Sequence, residues 1–520
     1  MKSTHVIYHI ARADFLERVR RYSFLIMLGL VVLLGYQTAI GNVRLQLGDY
    51  RGEFNSAWVG AMMSVIATFF LGWFGFYLVK GSVARDRETG VGQIMATTPM
   101  TRPLYTFGKW ISNFAILMLM VIILVIFGLV IQLLSGESTQ INLSAYLLPF
   151  VYIVMPLMAL VAAVAVLFET VPFLAGGFGN IVYFFGFITL LPIFLLTPIA
   201  TMNPSIEPMG LALIKSEMTQ EVLKAFPDYD NSFMLGGVDL AVKGTFTWTG
   251  IHWTPTIIIT RLSFILFATL LTLLAAVFFD RFDPSRAKPG KIKNAASDSA
   301  PEIVSTPQAL STPRLTPINA AANRFSFSRV LTAELKLLLK GQRWWWYAAA
   351  AGLIIACLAN PSATTRTYLL PFAWVWPILI WSAIGNREIQ NNAQQMTFSS
   401  ASPLMRQLPA QWIAAFIVTL LMSIGAILRY TMDGDMVGML ALLSGAIFIP
   451  SLALASGVWS GTSKVFEILY MVIWYLGPLN KVPGLDFIGS NSNGYPQFFI
   501  PFSLALIAFA VFGRSRQLRN

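Results

Sequence analysis

Long apolar runs, six before and six after one polar tract, constrain the fold of this chain more than any other feature. A helix needs about 20 apolar residues to cross the hydrocarbon core of a bilayer, and most of the runs approach or exceed that length. Only 12% of the 520 residues are charged, whereas soluble domains carry about 25%. The chain therefore cannot supply the surface of a soluble enzyme. We predict an all-α, polytopic transmembrane protein of about 12 spans, arranged as two six-helix repeats.

The order of these runs divides the chain into three regions. Residues 1–280 form a first six-span unit with an external loop at 201–254, and residues 324–520 form a second unit. Residues 281–323 are rich in Pro, Ser and Ala, which is typical of a flexible linker. The spans predicted in the first unit are Ser23–Ile40, Ala57–Val79, Ile111–Leu134, Leu147–Phe168, Phe178–Pro198 and Ile257–Phe279. Those in the second unit are Trp344–Leu358, Tyr368–Ala383, Trp412–Leu428, Met436–Trp459, Phe466–Leu479 and Phe498–Phe512.

The distribution of Lys and Arg predicts the orientation in the membrane, because cytoplasmic segments carry an excess of both residues. With the N-terminus inside, 27 of the 36 Lys and Arg residues fall in cytoplasmic segments and 8 in external ones. Both termini and the linker are therefore predicted to be cytoplasmic. The net charge of +12 is explained by anionic lipid at the inner leaflet, and nucleic acid is not needed as a partner.

Each unit opens with an amphipathic stretch before its first span, which predicts an interfacial elbow helix. Both stretches end in basic and aromatic residues, "RVRRYSF" at 18–24 and "KGQRWWWY" at 340–347. The apolar positions that recur at helical spacing are Val6, Ile10, Ala13 and Leu16 in the first stretch and Leu331, Leu335 and Leu338 in the second.

A second repeated feature lies after the second span of each unit, where the loop is too long for a tight hairpin. The matching residues are Arg87 and Glu88 with Arg387 and Glu388, Pro99 with Pro403, Arg102 with Arg406, and Trp110 with Trp412. The loop has room for a short helix at the cytoplasmic face. In this alignment Gln390 stands where the first copy has Gly90.

The first of these loops resembles a known family. Its "ARDRETG" turn, a short apolar helix, and "TPMTR" and "GK" before the third span are similar to the permeases of type-2 ATP-binding-cassette (ABC) exporters. The resemblance implies two six-span units that form the substrate pathway, and a coupling helix in each loop that docks on a nucleotide-binding subunit. The residues it assigns to coupling are Arg87, Glu88, Gly90, Pro99 and Arg102 in the first loop and Arg387, Glu388, Pro403 and Arg406 in the second.

The chain itself carries no G-x-x-x-x-G-K-[ST] loop that could cradle phosphates. We therefore expect a transport subunit rather than an enzyme, with no cofactor of its own and with ATP and Mg²⁺ on two separate ABC ATPase subunits. No metal site is predicted, since the three histidines are scattered and Cys357 is the one cysteine. The expected location is the bacterial plasma membrane.

Other interpretations remain open at this stage. A major-facilitator-like secondary carrier also has six plus six spans, but such carriers usually need buried intramembrane charges. A lipid-modifying enzyme would need clustered His, Asp or Glu. Glu169 and Glu467, which follow or begin spans near cytoplasmic turns, are either further contacts with the ATPase or solvated carboxylates. The helix predicted within 206–226 either caps the exit of the pathway or rests on the outer leaflet.

Overall fold

The structure, a computed structural model, describes two compact units, within Met1–Gly290 and Lys291–Asn520. The described residues are 3–135, 137, 140–196, 203–236, 242–282, 326–340, 342, 344–400, 402–490 and 496–519. From residue 283 onward the predicted linker lies outside this part of the chain. Helices dominate both units, which confirms the predicted all-α, polytopic membrane fold.

The first unit is built from eleven described α-helices. A π-helical turn, Phe150–Val154, joins α7 to α8, and a short 3-10 turn, Pro204–Ile206, precedes α10. In chain order the helices are α1 (Ser3–Val19), α2 (Tyr22–Ala39), α3 (Ser56–Val79), α4 (Ser82–Glu88), α5 (Val91–Thr97), α6 (Arg102–Ser135), α7 (Leu143–Pro149), α8 (Met155–Thr170), α9 (Gly177–Leu196), α10 (Leu211–Ala225) and α11 (Pro255–Phe278).

The second unit repeats the order of the predicted spans, with its second and fifth spans broken into shorter elements, and it has no described counterpart of α10 and no described strand. Its helices are α12 (Phe327–Leu339), α13 (Trp344–Ala359), α14 (Ser362–Thr364), α15 (Leu370–Val375), α16 (Ile378–Trp381), α17 (Arg387–Gln390), α18 (Gln394–Phe398), α19 (Pro403–Asp433), α20 (Met436–Ser460), α21 (Ser463–Trp474) and α22 (Phe499–Arg519). The π-helical turns are Thr365–Leu369 and Tyr475–Leu479, and the 3-10 turns are Pro483–Leu485 and Pro496–Phe498.

All twelve predicted spans contain helix, although they differ in length and continuity. In the described residues, seven helices are long and apolar enough to cross a membrane, or eight if α1 and α2, which are bent by 73°, count as one span. The apolar parts of α9 and α13 are shorter. The remaining two predicted spans are interrupted, near Pro377 in one and by the π-helical turn that contains Pro478 in the other. Proline removes a backbone donor and so breaks a regular helix.

Polar caps begin several of the spans. Asn55 accepts a hydrogen bond from the backbone of Trp58 at the start of α3, and Thr254 does the same for Ile257 at the start of α11. These bonds satisfy backbone N–H groups that have no partner inside the helix. Gly434 and Gly461, both in the left-handed region, end α19 and α20.

The segments that follow α2 and α9 in the first unit form a small mixed structure. Strands β1 (Arg44–Gln46) and β3 (Met234–Gly236) pair antiparallel, and β2 (Tyr50–Gly52) and β4 (Gly244–Phe246) pair parallel. The helix predicted within 206–226 is α10, and its apolar stripe is buried inside the unit, which argues against a helix laid on the outer leaflet by that stripe. The stripe consists of Leu211, Ile214, Met218 and Val222.

The buried face of the first elbow helix differs from the predicted one. Asp14 and Arg18 are buried on α1, together with Ala11, whereas Ala13 and Leu16 of the predicted stripe are exposed. The apolar residues are free to face lipid, because the membrane is itself an apolar surrounding. The ionic residues pack inward, and this arrangement leads to the candidate site.

Candidate functional site

The loop after the second span folds in the same way in both units, as two short helices joined by a left-handed residue. In the first unit this residue is Gly90, with a φ of 75°, between α4 and α5. In the second it is Asn392, with a φ of 53°, between α17 and α18. Glycine and asparagine are the residues that adopt this conformation most readily. The two loops therefore share one backbone design.

Backbone hydrogen bonds fix the correspondence between the loops at an offset of 302 residues. The N–H of Thr89 donates to the carbonyl of Arg85 at 2.8 Å, and the N–H of Asn391 donates to that of Arg387 at 3.1 Å. The sequence alignment of Arg87 with Arg387 was thus wrong by two residues. Arg85 and Asp86 are the counterparts of Arg387 and Glu388. The counterpart of Gly90 is Asn392 rather than Gln390, so the second copy keeps the turn.

The carboxylate of Asp86 anchors the first loop to the third span. Its Oδ2 accepts a hydrogen bond from the hydroxyl of Tyr105 at 2.7 Å and lies 2.7 Å from Nζ of Lys109. Lys109, which is almost completely buried, also contacts Asp14 of the elbow helix at 2.9 Å. Asp14 in turn lies 2.5 Å from Arg85. One buried ionic cluster therefore joins the elbow helix, the loop and the third span.

The pKa of Asp14 reflects this cluster. Burial alone would raise the pKa, but the charges of Arg18 and Lys109 and the hydrogen bonds from Lys109 and Ser112 outweigh burial and hold the pKa of the carboxyl well below its usual range. Asp14 is therefore ionised at neutral pH. Its two oxygens are needed as acceptors by three basic side chains and a hydroxyl.

The second loop is anchored at equivalent positions by amides in place of the lysine and tyrosine. Gln407 and Gln411 donate to Oε1 of Glu388, at 2.7 Å and 2.5 Å. Arg387 pairs at 3.0 Å with Glu334, a buried carboxylate of the second elbow helix. Burial raises the pKa of Glu334, with the charge of Arg387 acting in the opposite direction. Each elbow helix thus presents a carboxylate to an arginine of its own loop, and in the first unit Glu17 of the elbow helix pairs with Arg85 as well.

Glu169 has a structural role that neither sequence interpretation anticipated. It is buried, and its carboxylate accepts hydrogen bonds from the backbone of Gly81 at 2.7 Å, Ser82 at 3.1 Å and Val83 at 2.5 Å. These groups are the unsatisfied donors at the start of α4. The end of the fourth span therefore holds the first helix of the loop. Glu467 is likewise buried rather than solvated.

The C-terminal end of the sixth span of each unit also contacts the loop of that unit. In the first unit Asp280 pairs with Arg87 at 2.7 Å, and the ring of Phe282 lies against Gly92 so closely that a β-carbon at this glycine would be 2.6 Å from it. In the second unit the guanidinium of Arg514 lies 4.7 Å from the ring centre of Phe398 and 3.5 Å from Glu388. The loop is thus tied to the elbow helix and to the spans of its own unit.

The residues assigned to coupling by resemblance fall into two groups. The first group is buried or half-buried. In it, Glu388 and Arg387 anchor the second loop to its own unit. Arg102 begins α6, Pro403 begins α19, and Arg406 lies in the first turns of α19. Glu88 and Pro99 are exposed, as is Arg87 despite its ion pair.

Sequence reasoning missed the anchors Asp14, Asp86 and Lys109. A usable signal was present, because Asp86, Tyr105, Lys109 and Trp110 share the 302-residue offset with Glu388, Gln407, Gln411 and Trp412.

An exposed apolar residue projects from the second short helix of each loop. Ile94 is 68% exposed and Met396, at the matching position, is 79% exposed. Large apolar side chains at the tip of a rigidly held helix are typical of contact surfaces. Within the described residues, no group of three or more His, Cys, Asp or Glu could hold a metal ion.

Comparison with known proteins identifies the family. A family profile described as "ABC-2 family transporter protein" matches residues 8–283, which includes the elbow helix, the first loop and all six predicted spans of the first unit. No curated protein and no solved structure matches the chain significantly. Because the profile covers more than half of the 520 residues, the chain belongs to the ABC-2 transporter family and is a transmembrane permease.

Proposed function

We propose that this permease is the membrane subunit of an ABC exporter, in which the two units form the substrate pathway and a separate ATPase supplies the energy. The observation that carries the proposal is the pair of anchored loops with exposed apolar tips at Ile94 and Met396. A loop that transmits the movement of a partner to the spans has to be held firmly against its own unit on one side. On the other side it has to be exposed, so that the partner can bind. Both conditions are met in each unit.

The partner in this proposal is an ABC ATPase with two nucleotide-binding subunits, which bind ATP and Mg²⁺. The chain carries no phosphate-cradling loop, so hydrolysis has to take place on another polypeptide. Membership of the ABC-2 family makes this partner a better explanation than the ion gradient of a major-facilitator carrier. The excess of Lys and Arg supports a cytoplasmic location for the loops, the linker and both termini, and the membrane in this proposal is the plasma membrane of a bacterium.

The exposed tips offer a direct test. Replacing Ile94 by Asp puts a charge into a surface that is apolar in the wild type, and burial of an unpaired charge is costly. We expect the purified Ile94→Asp protein to retain less ATPase than the wild type and to lose transport-coupled ATP hydrolysis. Thr89→Asp is the matched control, because Thr89 is exposed in the same loop but lies outside α5.

The proposal fails if no protein with an ATP-binding loop co-purifies with the wild-type chain in mild detergent. It also fails if Ile94→Asp and Thr89→Asp retain the ATPase and its hydrolysis rate equally well. Both variants should insert into the membrane and elute as single species. A loss of ATPase binding in Ile94→Asp can then be assigned to the altered loop surface rather than to misfolding.

A further inference from the structure

A small pocket in the first unit opens in the angle between α1 and α2, beside the C-terminal end of α3 and the start of α4. We call it the elbow pocket. One wall is basic and the other is apolar, and no Asp or Glu is among the described residues that line it. The basic side chains are Arg18, Arg21, Lys80 and Arg85, and the apolar ones are Phe24, Leu78, Val79 and Ile116.

Two of the basic side chains are built into the fold. Only 7% of the Arg18 side chain is exposed, with its Nη1 donating to the carbonyl of Val79 at 3.0 Å and its Nη2 lying 2.9 Å from Asp14. Lys80, which is also buried, donates to Oδ1 of Asn180 at 2.7 Å. These contacts hold both cations at the pocket wall before any ligand arrives. An anion that binds there therefore does not have to order flexible side chains.

The carboxylates around the pocket do not balance the basic side chains. Glu17 is shared by two arginines, since it accepts hydrogen bonds from Arg21 at 2.6 Å and 2.8 Å and also pairs with Arg85. Five basic side chains meet four carboxylates in and behind the basic wall. They are Arg18, Arg21, Lys80, Arg85 and Lys109 on one side and Asp14, Glu17, Asp86 and Glu169 on the other. One negative charge, such as that of a phosphodiester, would balance the group.

We infer that the elbow pocket binds the headgroup phosphate of an anionic phospholipid. Basic pockets between helices at the cytoplasmic surface of a membrane suit lipid headgroups, and the planar guanidinium of arginine matches phosphate oxygens. The apolar wall favours a lipid over free phosphate. Phe24 lies in the first turn of α2, and the next residues, Leu25 and Ile26, are exposed apolar side chains along which an acyl chain can lie.

The second unit lacks the basic wall, so we expect one such site per chain. The position four residues after the carboxylate of the elbow helix is Arg18 in the first unit and Leu338 in the second. At the 302-residue offset the counterpart of Lys80 is Ser382. The site goes beyond the proposed function, because it concerns the surrounding lipid rather than the ATPase.

Native mass spectrometry of the purified full chain tests the inference by counting the lipids it retains. The detergent-solubilised protein is titrated with phosphatidylglycerol in one series and with phosphatidylcholine in another. We expect the wild type to retain one phosphatidylglycerol. Arg21→Gln removes the excess positive charge and a charged hydrogen-bond donor, and it should weaken the binding of phosphatidylglycerol about tenfold. Arg20→Gln is the matched control, because Arg20 is the exposed neighbour of Arg21 and does not line the pocket.

The side chain of Arg21 is 42% exposed, so both variants should unfold at the temperature of the wild type. Equal retention of phosphatidylglycerol by Arg21→Gln and Arg20→Gln would overturn the inference, and so would equal retention of the two lipids by the wild type. Inorganic phosphate added in excess should leave the bound lipid in place, and its displacement would contradict the assignment to a lipid. The assay contains no ATPase, so a negative result leaves the proposed function standing.

Discussion

At the scale of single residues, the most consequential group is the ammonium of Lys109. It lies between the carboxylates of Asp14 and Asp86, at 2.9 Å and 2.7 Å, with only 2% of its side chain exposed. Two buried carboxylates that lose their shared cation would repel each other in a surrounding of low dielectric constant. Arg85 also lies near both carboxylates, at 2.5 Å and 3.3 Å, but it is more exposed than Lys109, which is the fully buried cation of the cluster.

Replacing Lys109 by Met should lower the thermal unfolding temperature of the detergent-solubilised protein markedly, since removing one partner from a buried ion pair costs about 3–5 kcal/mol. The matched control is Lys224→Met, which removes a lysine that is 70% exposed and pairs with Glu221 at 2.8 Å. Exposed pairs contribute little, so this control should unfold like the wild type. Equal unfolding temperatures for the two variants would contradict the role given to Lys109.

The lowered pKa of Asp14 predicts a pH dependence. Because the pKa in the folded state lies below that of the unfolded chain, the ionised carboxylate stabilises the fold at neutral pH. This contribution is lost as the pH falls from about 4, the ordinary value, through the lower pKa of the folded state. The difference in unfolding temperature between the wild type and Asp14→Asn should therefore be large at neutral pH and shrink in acid. A difference in unfolding temperature that does not change with pH would refute this role of Asp14. Glu88→Gln, at an exposed position, serves as the control.

At the scale of elements, the left-handed turn between the two short helices of each loop sets the direction of the second helix. Gly90 has a φ of 75° and no atom within 4 Å of the position of a β-carbon. A substitution there tests backbone conformation alone, since no side chain would be displaced. The use of Asn392 at the same place in the second unit shows that the conformation, rather than the absence of a side chain, is what the turn requires.

Gly90→Ala should destabilise the first loop by about 1 kcal/mol, the cost of a left-handed conformation for a residue with a β-carbon, and Gly90→Asn should cost less. Gly352→Ala is the control, because Gly352 lies within a regular helix with open space around it, where alanine stabilises by about 0.5–1 kcal/mol. Hydrogen exchange of the amides of α5 measures the effect. Equal exchange in Gly90→Ala and Gly90→Asn would count against a conformational requirement.

Elements of the fold could largely be predicted from the sequence, whereas the site could be predicted only in part. The apolar run predicted at Ile257–Phe279 is helix α11, and its Thr254 cap and Pro255 are ordinary start signals. The loops were harder, because the repeated Arg-Glu dipeptide suggested an alignment that contacts do not support. Asp86 meets Lys109 across 23 residues of chain, and such pairings depend on packing that a periodicity does not encode.

At the scale of the whole molecule, the distribution of Lys and Arg predicts which ends of the spans face the cytoplasm. Cysteines placed at the exposed positions Asp228 and Gln93, in a background where the buried Cys357 is replaced by Ala, test it. In intact cells a membrane-impermeant maleimide should label Asp228→Cys and leave Gln93→Cys unlabelled until the cells are opened. Labelling of Gln93→Cys from outside would contradict the predicted topology, in which the segments rich in Lys and Arg lie in the cytoplasm.

In the described residues, helix α10 and two small strand pairs, whose strands follow α2 and α9, occur in the first unit and have no counterpart in the second. A permease assembled from two identical chains would have to carry any such insertion twice, and every change to it would appear on both sides of the two-fold axis. Fusion of the two units into one polypeptide removes that obligation. Selection can then reshape this part of one unit while the other unit stays as it is.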